Sequence, residues 1–166
     1  TINHYFVFED ALVMRLLTSL FAFAAVIAIV WSTCMRLQKS PPLVLWLLAG
    51  AASLALMGFS DPANDVTVWV FTVNSMCGLV FATGSQLLVQ ANSRDPIDRA
   101  TVQVFVLIAA QFFLRPPILY LIDGPMGSDA YRESVGHAVY IVVGAVSMVL
   151  LSAVLMSAAI SDLIKA

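Results

Sequence analysis

Arg115 lies inside an otherwise apolar run and is followed by Pro116 and Pro117, which makes it the residue of this chain best placed to do chemistry. A guanidinium is costly in hydrocarbon, and each proline lacks the amide that would bond four residues back, here to the carbonyls of Phe112 and Phe113. The helix carrying them is expected to kink. Arg115 is expected to snorkel outward, to hydrogen-bond a freed carbonyl, or to hold an anionic lipid headgroup or ligand, the first two being the commoner fates. Tyr120 and Tyr131 are its candidate companions in a ligand site.

Other chemistry finds little support. His4 and His137 both fall at the same expected end, so they cannot form a haem pair stacked across a bilayer, and no third ligand accompanies them for a metal. Cys34 and Cys77 lack any CxxC or CxxH spacing and read as small buried hydrophobes. Neither HExxH nor GxSxG occurs, and the last apolar run has no lysine for a Schiff base. No catalytic residue, metal or cofactor is therefore expected, and the chain reads as a non-enzyme.

Two stripes of small and polar residues mark helix faces that approach other helices closely. Asn74, Gly78, Ala82 and Ser85 recur at i, i+4, i+8 and i+11; Gly136, Tyr140, Gly144 and Ser147 make a similar series further on. Small residues let backbones come together, and an asparagine can hydrogen-bond across the contact. Packing within the subunit or across a dimer is the favoured reading of both, ahead of ligand contact. They look more numerous than five helices packed only on each other would need, so the chain is expected to have a partner: a second copy or a larger membrane complex.

The elements that carry these residues follow from composition. Of 166 residues, 61% are hydrophobic and 11% charged, where a soluble domain has roughly 45–50% and about 25%. This is no soluble globular domain, and eight basic residues at net charge −2 make no patch for a nucleic-acid backbone. Five apolar stretches, 11–33, 43–59, 66–90, 101–122 and 136–160, approach or exceed the roughly 20 residues that cross a bilayer. The expected fold is all-α, a single domain and an integral membrane bundle of five transmembrane helices in contact with the lipid bilayer. The first stretch lacks the cleavage pattern of a signal peptide, and no internal repeat is seen.

Charge then orients the bundle. Arg36, Lys39, Arg94, Arg99 and Lys165 collect on one side if the helices alternate, against Arg132 alone among the loops of the other. The N-terminus is expected outside and the C-terminus in the cytoplasm, with Glu9, Asp10, Asp61, Asp65, Asp123, Asp129 and Glu133 on the outer side. Only the 123–135 connection is long enough to shape an external surface. From Ser134 on there is no proline and little glycine, so the last helix is expected to outrun the hydrocarbon and protrude into the cytoplasm, ending either in a frayed terminal turn or where something cytoplasmic once followed.

Phe113-Leu114-Arg115-Pro116-Pro117, then Gly124, Tyr131, Ser134 and Tyr140, and a final apolar helix ending Ala158-Ala159-Ile160-Ser161-Asp162-Leu163-Ile164, resemble the end of the multi-pass N-terminal sensor region of bacterial GGDEF-type diguanylate cyclases. The resemblance covers residues 111–166, about a third of the chain. It implies a membrane-embedded sensory or anchoring domain of the bacterial cytoplasmic (inner) membrane, whose last helix leads toward a dimeric cyclase. GGDEF residues themselves are absent from this sequence, so no cyclase activity is implied for it. The alternative reading is a small accessory subunit packed on a larger membrane protein complex.

Overall fold

The computed structural model describes residues 11–59, 66–91, 93, 95–124 and 128–165. They form six helices and, among the described residues, no strand: α1 (Ala11–Arg36), α2 (Leu43–Gly58), α3 (Thr67–Gln90), α4 (Pro96–Asp123), α5 (Ser128–Glu133) and α6 (Val135–Lys165). His4 and the acidic residues Glu9, Asp10, Asp61 and Asp65 lie outside the described residues, as does Arg94.

Four helices are long and apolar enough to cross a bilayer, over Val13–Arg36, Thr67–Gln90, Pro96–Asp123 and Val135–Ile164. The second helix, with 16 residues, rises only about 24 Å against about 30 Å of hydrocarbon. The five expected spans are therefore four or five candidates. The boundaries shift for local reasons. α4 begins at Pro96 rather than at 101, because the Asp95 carboxylate accepts the Ile97 amide at 2.9 Å as an N-cap and Pro96 occupies the first turn. Asp98 and Arg99 are thereby helical, not loop. α1 continues to Arg36, and the connection between α4 and α6 contains α5, a helix that apolar periodicity could not show. Pro116 and Pro117 do not end α4, which runs on to Asp123.

α3 is the centre. It packs on α4, α1 and α2, while α6 packs on α4 and on α5 alone. Space is tightest at Gly84, where a Cβ would collide with a Val30 methyl of α1. Around that crossing Phe81 meets Phe105 edge-on at 5.2 Å and stacks on Phe112 at 6.1 Å. Trp46 of α2 is fully buried there and donates its indole N–H to Thr83 Oγ1 at 2.9 Å, which ties the short helix to the centre. Cys34 and Cys77 are buried and unbonded. A smaller cluster of Val66, Val70, Leu119 and Tyr131 seals the end where α5 sits.

Both small-residue stripes are used inside the chain. A Cβ on Gly78 would lie 3.1 Å from the Phe113 ring of α4, and Ser85 is buried. Ala82 is half-buried and packs on the main core. On α6, a Cβ at Gly136 would come within 2.5 Å of Asp123 Oδ2 and 2.7 Å of Leu119, Gly144 faces Gln111, and Ser147 donates to Gln111 Oε1 at 2.6 Å. These contacts account for the stripes without a partner, so any partner surface has to be sought on other faces.

Candidate functional site

Two polar clusters stand at opposite ends of the bundle. At the end formed by the last turn of α1, the first turn of α4 and the end of α6, Arg36 joins all three helices. Its Nη1 donates to Asp98 Oδ1 at 2.5 Å, and its Nε and Nη2 donate to the two oxygens of Asp162 at 2.5 and 2.9 Å. Asp98 is buried and also accepts the Ser93 hydroxyl. Every carboxylate in this cluster is matched by a donor, as a structural clasp requires.

The other end is differently composed. Arg115 is half-buried in the C-terminal third of α4, and its Nη2 donates to the Tyr131 hydroxyl at 3.0 Å and lies 3.4 Å from His137 Nδ1. The Arg115 guanidinium carbon stands 5.6 Å from the centre of the Tyr140 ring, within cation–π range. The Tyr131 and His137 rings are 4.3 Å apart, and Trp69 meets Tyr131 edge-on at 6.3 Å. Trp69 in turn donates to the buried Ser19 hydroxyl of α1. Burial raises the Tyr131 phenol above its ordinary pKa, only partly offset by the neighbouring guanidinium, so the phenol keeps its proton at neutral pH.

The local fold explains the convergence. α6 starts at Val135 because the Ser134 hydroxyl accepts the His137 amide at 2.9 Å, an N-cap that places His137 in the first turn and Tyr140 one turn on. Gly136 lets that turn settle against Leu119 and Asp123 of α4, which brings His137 and Tyr140 alongside Arg115. α5 folds Tyr131 over the top.

Of the three sequence candidates, Arg115 and Tyr131 come together and Tyr120 does not. Tyr120 is five residues beyond Arg115, about 140° around the helix, half exposed, and beside a small cavity lined by Pro116, Gly124 and Tyr131. The freed-carbonyl expectation for Arg115 gives way to a side-chain partner, because α5 delivers a phenol to it. His137, to which the sequence offers no haem or metal role, joins the cluster as well. The signal that places it is the three-residue spacing of Tyr131, Ser134, His137 and Tyr140 across the α5–α6 junction.

Four buried side-chain polar atoms have no hydrogen-bond partner among the described residues: Arg15 Nη1, Asn74 Oδ1, Arg115 Nε and Asp123 Oδ2. All belong to the same end of the bundle, the start of α1 and α3 and the end of α4. Asn74, expected to reach across a helix contact, instead donates back to the Val70 carbonyl of its own helix at 2.6 Å. Comparison with protein-family models, curated proteins and solved structures finds no match for this chain.

Proposed function

We propose that this chain is a membrane-embedded, non-catalytic sensory or anchoring domain of the bacterial inner membrane, with its N-terminus outside and α6 as the helix that carries a signal to the cytoplasmic face. One observation carries the reading. α6 is continuous over 31 residues, has His137 and Tyr140 in the outer cluster and Asp162 in the inner one, and between them packs on α4 alone. A rigid helix with few lateral contacts and an interaction site at each end is a physical element that both sites can bias. The distribution of loop lysines and arginines supports the orientation, and the resemblance to diguanylate cyclase input regions agrees with the role.

The reading includes a second copy as partner. On the face of α6 turned away from α4, Ala138, Ala145, Ser152 and Ala159 repeat every seven residues and alternate with Val142, Val149, Met156 and Leu163; all eight are exposed. Lipid tails require no such 3.5-residue period, whereas a parallel helix pair does.

The test is a distance measurement across the inner end. Spin labels at Ser40 and Ile164, both exposed, are placed in nanodisc-embedded parent and Arg115→Gln proteins. The input reading expects the Arg115 change to shift or broaden the distance distribution. An identical distribution in both proteins would leave an inert anchor or accessory subunit.

A further inference from the structure

We propose that the Arg115 cluster is a binding site for an oxyanion, the phosphodiester of an anionic phospholipid headgroup or a free phosphate at the outer membrane face. The proposal deepens the sensory reading, and rests on it for the claim that the bound anion is an input.

Among the described residues the cluster has a cation and spare donors but no anionic acceptor. Because Arg115 Nη2 donates to the Tyr131 oxygen, the phenolic proton of Tyr131 is left to point elsewhere. With His137 Nδ1 turned toward the same guanidinium, the ring proton of a neutral His137 sits on Nε2. Tyr140 offers its ring face to the cation and a hydroxyl of its own. None of these protons meets an acceptor among the described residues, and Arg115 makes no ion pair with any of them.

Charge bookkeeping points the same way. A partly buried guanidinium is normally matched by a carboxylate, as Arg36 is by Asp98 and Asp162. On the α6-facing side of α4, the nearest carboxylate beyond Arg115 is Asp123, two turns on and about 12 Å by the helical rise, with its Oδ2 held against Gly136 and Leu119. It does not neutralise Arg115. A tetrahedral oxyanion does, and accepts from the guanidinium and the phenol together, since it presents several acceptor oxygens at once. Arg115 Nε is buried against protein, so the anion approaches along the outer edge of the guanidinium. Its depth, about 12 Å inward from the end of α4 by the helical rise, is reached by a headgroup phosphate drawn slightly into the interface.

The test uses the full chain in nanodiscs of phosphatidylcholine with or without a minority of phosphatidylglycerol, read by native mass spectrometry for retained lipid and by thermal unfolding with added inorganic phosphate. The lipid arm expects phosphatidylglycerol to be retained over phosphatidylcholine, with about tenfold or greater loss in Arg115→Gln and a several-fold loss in Tyr131→Phe, the sizes expected for charge-assisted and neutral hydrogen bonds. The phosphate arm expects unfolding in pure phosphatidylcholine to move to higher temperature with phosphate, again only with Arg115 present. Either result supports the site and names its source. Retention and thermal response that are undiminished in both variants, or absent in the parent, overturn it. A site that fails while the Ser40–Ile164 distance still responds to Arg115 removes the ligand and leaves the sensory reading; binding with an unresponsive distance does the reverse.

Discussion

Arg36 grips Asp162 side-on, through Nε and Nη2 to the two carboxylate oxygens, although α1 and α6 share no packed surface. The same guanidinium reaches Asp98 with Nη1, so one side chain holds the ends of three helices. The two arms differ in environment: the Asp98 side chain is 7% exposed and that of Asp162 is 46% exposed.

That difference sets an asymmetry in stability. Arg36→Gln leaves a buried carboxylate without its cation and is expected to cost about 2–3 kcal/mol. Asp162→Asn breaks a solvent-screened arm and is expected to cost less than about 1 kcal/mol. Thermal unfolding in detergent compares them; equal losses would mean that burial at Asp98 does not govern the clasp.

Glycines that look alike in sequence are expected to behave differently. Gly84→Ala drives a methyl into Val30 across the α1–α3 crossing and is expected to cost about 1–3 kcal/mol from overpacking. Gly144→Ala meets only Gln111 Nε2 at 3.6 Å, an ordinary contact, and is expected to be nearly neutral. The same unfolding measurement ranks the two, and the reverse order would contradict the packing at Gly84.

The second copy is expected on the outward face of α6. With Cys34 and Cys77 replaced by alanine, a cysteine at Ala145 or Ser152 should form an intermolecular disulfide in membranes, while one at Ser147, buried against α4, should not. Monomer alone from all three positions would dismiss the dimer.

Orientation has its own check. A cysteine at Glu133 is expected to react with a membrane-impermeant reagent added outside intact cells, and one at Ser40 only after the membrane is opened. The opposite pattern would invert the bundle.

Much of the architecture was legible because long apolar runs admit only helix when backbone groups must satisfy themselves. The ends are less so: hydropathy falls at Asp98 and Arg99, so the apolar stretch starts at 101, whereas the helix starts with the Asp95 cap and Pro96 in its first turn. Arg115 was legible as an anomaly in its own segment. His137 was less so: the three-residue spacing from Tyr131 to Tyr140 lines it up with its neighbours, but its contact with Arg115 depends on α5 folding Tyr131 back over α4, a tertiary fact. Gly84 sits one position from the small-residue stripe, so the spacing does not single it out, yet among the described glycines it is where an added Cβ would meet a neighbouring helix most closely. The stripes themselves were visible, but whether a face meets its own chain or another is decided by how α4 is placed between α3 and α6.

The short α2 and the long α6 lie on opposite flanks, one against α1 and α3, the other against α4. On the proposed membrane-spanning reading, a bilayer around this molecule meets two different hydrophobic heights. On the α2 side lipids must thin, or polar flanks be drawn inward, by about 6 Å, at fractions of a kcal/mol per ångström; on the α6 side the helix can tilt to absorb its excess length. In the membrane-spanning reading proposed above, bilayer thickness becomes a mechanical load applied unequally to the two flanks.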